Sequence, residues 1–192
     1  MSKNLIFFDI DGTLLPQGET AIPADVVALL KEINNQENEI FLCTGRCYHQ
    51  TKKFLEQLDI DNYICSNGQE VCYQGQTIKQ VYYQPHNLQK LVEYVKSVPV
   101  NWGYETRVSI NLPQTPEAPT IKKVLEKAGF QDVVISDENM DQGVYQVWMF
   151  GEEKQISQGL SGLSSEYVAY RWNDQAVEIL PNNVNKYQGI EE

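Results

Sequence analysis

The chain has 192 residues, 42% of them hydrophobic, with 26 acidic against 15 basic side chains and a formal charge of −11. At about 150 residues per domain, that length allows one large domain or two small ones, and it is ample for a buried core. The acidic balance argues against a nucleic-acid partner, which calls for a basic patch, but a few local cations or a metal can still reverse the field inside one pocket and admit a phosphorylated metabolite.

The first apolar run, residues 5–10, ends in carboxylates and suits a strand buried on both faces of a parallel sheet. Pro23 is placed for a helix's first turn, and Val26, Val27, Leu30 and Ile33 then recur at helical spacing. Residues 40–43 read as a second buried strand, and Thr51, Phe54, Leu55 and Leu58 as the apolar face of a second helix. Residues 63–65 complete a strand–helix–strand–helix–strand order, the mark of a doubly wound α/β unit with right-handed crossovers. A hairpin follows, with strands 70–73 and 77–83 around Gln74-Gly75-Gln76. Beyond it the pattern predicts a helix over 88–95, an extended stretch over 102–112, and a proline-rich loop leading to a helix over 121–128 closed by Gly129. Strands are predicted at 144–150, 167–172 and 176–180. The expected architecture is therefore α/β: a Rossmann-like parallel-sheet core over 1–83, an inserted α+β domain over 84–180, and a return to the core over 181–192.

Four cysteines, Cys43, Cys47, Cys65 and Cys72, match no common zinc spacing, and His49 and His86 do not complete one. They read as reduced thiols serving as small apolar residues. The pairs Trp102/Tyr104 and Tyr170/Trp172 read as core aromatics. No apolar run approaches the ~18 residues that cross a bilayer, and 5–8 is too short for a signal-peptide core. No membrane partner and a cytoplasmic location are expected.

The chemistry is concentrated in Asp9-Ile10-Asp11-Gly12-Thr13. Residues two apart on a strand face the same way, so Asp9 and Asp11 can converge just past its carboxyl end, where open α/β sheets bind ligands. Two carboxylates together repel, and a hard divalent ion such as Mg²⁺ is the natural counter-charge. Thr44-Gly45 taken alone would cap a helix, Lys186 alone would be a solvated lysine, Arg46 would meet either substrate or a salt bridge on the second helix, and Asn67 would either line a pocket or make an Asn-Gly turn.

In these residues and their order the sequence resembles the haloacid dehalogenase superfamily. Residues Asp9 to Leu15 are similar to its first motif, Cys43-Thr44-Gly45-Arg46 to the second motif of the Cof-type subfamily, and Ser66-Asn67-Gly68 to that subfamily's third-strand end. Lys186, within residues 184–190, stands at the lysine of the third motif, where Tyr187 replaces a frequent glycine. The resemblance implies a HAD-like core with a cap and a Mg²⁺-dependent phosphatase of small phosphorylated metabolites. In that reading Asp9 is the nucleophile, Asp11 the acid and base, and Asp9 with the Asp11 backbone carbonyl the metal ligands. Thr44, Gly45, Arg46, Asn67 and Lys186 hold the substrate, with Thr44 at a helix N-terminus and Lys186 a cation between nucleophile and phosphate.

The resemblance also implies a fourth, acidic motif after the lysine, together with fourth and fifth core strands beside the first. The chain stops at Glu192, inside what should be the helix after Lys186, and Asp137, Asp141 and Asp174 all precede that lysine. The expectation is thus a shortened form of a longer phosphatase that binds Mg²⁺ weakly and turns over poorly. Its residues 5–8 would form an apolar sheet edge that encourages a homo-oligomer. The alternative is a non-catalytic fragment that binds phosphate ligands.

Overall fold

A computed structural model describes residues 3–136 and 140–192. Asp137 lies outside the described residues, and nothing is described of the Asp141 side chain. The chain divides into two units, residues 1–81 with 184–192, and residues 82–183.

The first unit is built on a five-stranded sheet in the order β1-β2-β3-β4-β5. β1 (Asn4–Phe8), β2 (Asn38–Cys43) and β3 (Tyr63–Cys65) run parallel, while β4 (Glu70–Tyr73) and β5 (Gln76–Gln80) add an antiparallel hairpin. Helices α1 (Ala24–Ile33) and α2 (Tyr48–Leu58) are the crossovers. Leu30 of α1 and Phe54, Leu55 and Leu58 of α2 join Ile40 and Leu42 in one buried cluster, so both helices cover the same face. Phe54 is fully buried. On the other face Phe7 packs with Cys43, Ile64 and Val71. Phe41 lies between Phe7 and Tyr73, at ring-centroid distances of 4.9 and 5.8 Å.

The apolar run suggests burial on both faces for β1, but that is met by β2, where residues 39–43 are all buried, and β1 takes the edge position implied for residues 5–8. β1 is the sheet's edge strand among the described residues, and Leu5 remains 49% exposed. The β4–β5 turn is also tighter than the spacing predicts. Gln74 (φ 49°) and Gly75 (φ 73°) both take the left-handed region, as a two-residue hairpin turn requires. Gln76 therefore already pairs with Tyr73.

The second unit is a six-stranded sheet in the order β10-β11-β9-β6-β7-β8, comprising β6 (Asn101–Thr106), β7 (Ile110–Leu112), β8 (Val133–Ile135), β9 (Val144–Phe150), β10 (Tyr167–Asn173) and β11 (Ala176–Pro181). The extended stretch predicted over 102–112 is in fact two antiparallel strands. Thr106 Oγ1 accepts the amides of Val108 and Ser109 and turns the chain back. Leu88, Leu91, Val92 and Val95 of α3 (Pro85–Ser97) and Ile156 of α5 (Glu153–Ser161) pack with Tyr104, Val147 and Met149. α4 (Ala118–Lys127) packs with Ile110, Leu112, Trp148 and Phe150, and joins parallel β7 and β8. Sequence patterning missed β8, only three residues long, and α5, although α5 opens with a capping box of Glu152 and Gln155. Tyr104 is core as expected, but Tyr170 and Trp172 are 43% and 36% exposed. The Trp172 ring leans on Phe130 and Trp148, at 5.1 and 5.4 Å.

All four cysteines are free and buried. Among the described residues no helix is long and apolar enough to cross a membrane.

Phe54 fills the helix-covered face without solvent contact, so Phe54→Ala should cost about 3–5 kcal/mol of stability. The denaturant midpoint of the chain should fall accordingly, and an unchanged midpoint would contradict this packing.

Candidate active site

The carboxyl ends of β1 and β2, the turn after β3 and the returning C-terminal segment supply every side chain predicted from the sequence. Past β1 the chain folds back at once: the Ile10 carbonyl accepts the amides of Thr13, Leu14 and Leu15 at 3.2, 3.0 and 2.8 Å. Gly12 (φ 76°) makes that reversal without side-chain strain. Asp9 and Asp11 are left at the rim, their side chains 40% and 54% exposed.

Two cations answer the two carboxylates. Lys186 Nζ donates to Asp9 Oδ1 at 2.8 Å. Arg46 takes Asp11 in a fork, with Nε donating to Oδ2 at 2.8 Å and Nη2 to Oδ1 at 2.7 Å. Such bidentate pairing fixes a carboxylate's orientation as well as its charge. Arg46 therefore makes a salt bridge, and the partner seen is Asp11 in the loop after β1.

Thr44 does not cap α2. That helix begins at Tyr48 with Cys47 as its N-cap, and Thr44 sits three residues earlier, its amide donating to the Ile64 carbonyl. Its hydroxyl accepts the Arg46 amide at 3.1 Å. The 3₁₀ turn Ser66–Gly68 clamps the same segment, because Ser66 N–H donates to Arg46 O and Asn67 N–H to Thr44 O. Cys47 Sγ and Ser66 Oγ add a contact at 3.0 Å. Gly45 faces the Asn67 amide so closely that an added Cβ would lie 3.2 Å from both its oxygen and its nitrogen. Asn67 (φ 54°) thus makes the tight turn and also stands over Gly45.

Lys186 is placed by α6 (Lys186–Ile190), a single turn whose N-cap side chain, Asn185, accepts the Gln188 amide at 2.9 Å. Two glycines let that turn dock. Gly68 (φ 94°) has no room for a Cβ, which would overlap the Asn185 carbonyl oxygen. A Cβ on Gly189 would fall 2.7 Å from Ile64 Cγ2 and 3.0 Å from Gly68 Cα. Gly189, Asn185 and the docking role of Gly68 were missed in the sequence; the Ser-Asn-Gly triplet and the asparagine before Lys186 were the available signals.

Cys43, just before Thr44, is 5% exposed. Burial pushes its thiol pKa upward, an effect opposed by the Lys186 charge and reinforced by Asp9.

A model for haloacid dehalogenase-like hydrolases matches residues 6–192. The chain belongs to this family. Among curated relatives of these hydrolases, “Putative phosphatase YkrA” of Bacillus subtilis (strain 168) is 26% identical over 196 residues, covering 99% of this chain and 73% of its own length. Among solved structures, a haloacid dehalogenase-like hydrolase from Bacteroides thetaiotaomicron superposes with a TM-score of 0.83 at 15% identity, over 99% of this chain and 75% of that one. The HAD subclass IIB sugar phosphatase BT4131 gives 0.75 at 22%, over 98% and 74%. At these identities the two structures establish the HAD fold.

Family membership raises the question of a metal. Among the described residues no three His, Cys, Asp or Glu side chains converge. Mg²⁺ does not demand such a cage, since it keeps several waters and takes one or two carboxylates plus phosphate oxygens. The donors at the rim suit that partial set. Lys186 takes one oxygen of Asp9 and leaves the other, whereas Arg46 occupies both carboxylate oxygens of Asp11. The Asp11 main-chain carbonyl is the donor that this residue has to offer.

Two outcomes are expected. Gly68→Ala should cost about 2–4 kcal/mol through backbone strain and overlap, read as a lower denaturant midpoint; full retention would contradict the docking of α6. Cys43, buried and with its thiol pKa raised, should stay protonated and unreactive towards a thiol reagent at pH 8 in the native chain, and react once the chain is unfolded.

Proposed function

We propose that this hydrolase is a Mg²⁺-dependent phosphatase of small phosphorylated metabolites, acting through an aspartyl-phosphate. The observation that carries the reading is the rim itself, where two carboxylates from one strand end each meet a cation from a different segment. The phosphatase name of the Bacillus relative supports the same direction.

Asp9 is the nucleophile, attacking phosphorus in line as the ester oxygen departs. Lys186 neutralises Asp9 in the resting state, so the carboxylate and an incoming phosphoryl group share one cation. Asp11, once its fork with Arg46 opens and it has taken up a proton from water, gives that proton to the leaving oxygen, then takes one from the water that releases phosphate. Thr44, Gly45 and Asn67 hold phosphoryl oxygens from the clamped segment. When bound by Asp9 and the Asp11 carbonyl, Mg²⁺ offsets the negative charge gathered on the transferring group. Unit 82–183, inserted between β5 and α6, serves as a cap, and a cap suits a small substrate that a lid can enclose. The Arg46 fork, which occupies both carboxylate oxygens of Asp11, favours a second reading, a chain that binds phosphate ligands without turning them over.

Asp9→Asn separates the two. If the chain is a phosphatase, hydrolysis of an aryl phosphate with Mg²⁺ should fall below about a thousandth of the wild-type rate. Turnover that survives the substitution overturns the nucleophile assignment. Calorimetric binding of Mg²⁺ and vanadate with no turnover in the wild-type chain would favour the second reading.

A further inference from the structure

The proposed role of Asp11 locates the alcohol half of the substrate. A group that protonates the leaving oxygen lies beside it, so whatever surrounds Asp11 also surrounds the leaving group. This inference rests on the reading above.

Around Asp11 the charge is positive. Arg46 holds it in the fork, and the Arg46 guanidinium carbon stands 5.5 Å from the centre of the Phe54 ring. Lys53 Nζ stands 4.8 Å from the same ring centre. The two cations are thus within about a Debye length, ~10 Å, of each other. With Asp11 balancing one of them, one positive charge remains.

Lys53 is unusual in a chain with a formal charge of −11. Its neighbour Lys52 pairs with Glu56 at 3.7 Å, but among the described residues Lys53 forms no ion pair, only the contact with Phe54. Burial and the Arg46 charge both lower its pKa, while Asp11 raises it. An ammonium kept partly dehydrated beside a second cation is a cost that an anion would offset.

The adjoining helix flank has an unmet donor as well. Gln50 is 3% exposed, and its Nε2 has no hydrogen-bond partner among the described residues. Gln50, Lys53 and Gln57 follow one another at spacings of three and four, which puts them on one flank of α2, just beyond the loop that carries Arg46. Gln57 identifies what that flank faces: its amide group bonds both the N–H and the carbonyl of Ile22, at 3.1 and 2.6 Å, in the loop that begins at Asp9.

We propose that Arg46 and Lys53, gathered at the Phe54 ring beside Asp11, form an anion subsite on the leaving-group side of the phosphoryl centre. The favoured ester then carries a second anionic group, carboxylate or phosphate, on its alcohol.

The test is calorimetric, with Mg²⁺ present and inorganic phosphate as reference. Glycerol 3-phosphate, 3-phosphoglycerate and glycerol 1,3-bisphosphate are compared on the wild-type chain, Lys53→Gln and Lys53→Arg. At least one doubly anionic ester should bind about 10-fold more tightly than glycerol 3-phosphate. Lys53→Gln should remove that advantage and leave inorganic phosphate binding unchanged, while Lys53→Arg should keep the advantage. Preference for the carboxylate ester alone marks a phosphorylated acid as substrate, and preference for the bisphosphate alone marks a second phosphate. Equal affinities in the wild-type chain, or an advantage that survives Lys53→Gln, overturn the subsite while phosphate binding keeps the phosphatase reading intact. Failure of inorganic phosphate itself to bind removes both. An unchanged circular dichroism spectrum of Lys53→Gln excludes misfolding as the cause of a loss.

Discussion

Lys186 reaches Asp9 across 177 residues of sequence, and that ion pair depends on two side chains that do not exist. Gly68 and Gly189 bring the turn after β3 and the short helix α6 into contact at a separation that no Cβ would allow. The close approach sets where Asn185 caps the helix, and the cap sets where Lys186 begins. The rest of the rim follows from the same turn, because Ser66 and Asn67 spend their amides on the carbonyls of Arg46 and Thr44. One three-residue turn therefore aligns the cation for Asp9 and the segment that carries the cation for Asp11. Its left-handed backbone at Ser66, Asn67 and Gly68 is the kind of strained conformation that persists where surrounding contacts over-determine it.

Charge and burial explain why this rim holds together in an acidic chain. Two carboxylates at one strand end would repel if left alone. Each instead meets a cation brought from elsewhere in the chain, Asp9 with one bond from an ammonium and Asp11 with two from a planar guanidinium. The difference matters chemically. A single bond leaves the second oxygen of Asp9 for other work, whereas the fork commits both oxygens of Asp11. The proposed nucleophile is the carboxylate with an oxygen to spare.

Much of this was legible in the residues. Strict period-3.6 patterning located α1 and α2, and the Asp-x-Asp-Gly run located the loop after β1, because both signals are local. The errors have physical causes. β1 and β2 are similar apolar runs, so periodicity alone expects β1 to be buried on both faces; the family resemblance, which carries the strand order, gives the sheet edge that the structure has. A reversal at Thr106 relies on a hydroxyl accepting two amides, which composition does not advertise. Helix α5 has two strongly buried positions in nine residues, too few for its period to stand out. At the site, motif order found the residue types but not their partners. Which oxygen meets which nitrogen depends on docking across long sequence separations, and Arg46 is the clearest instance.

The strand that presents Asp9 is laddered along one flank only, to β2. Among the described residues its outer row of main-chain groups pairs with no further strand. Asp9 directly follows Phe8, whose pairing with Leu42 closes the ladder, so any fraying of β1 from β2 would carry the carboxylate with it. Reactivity and mechanical tightness of the rim are thereby coupled. Any polypeptide that laces onto this margin would stiffen the rod on which the proposed nucleophile is mounted, and so tune the chemistry at a distance.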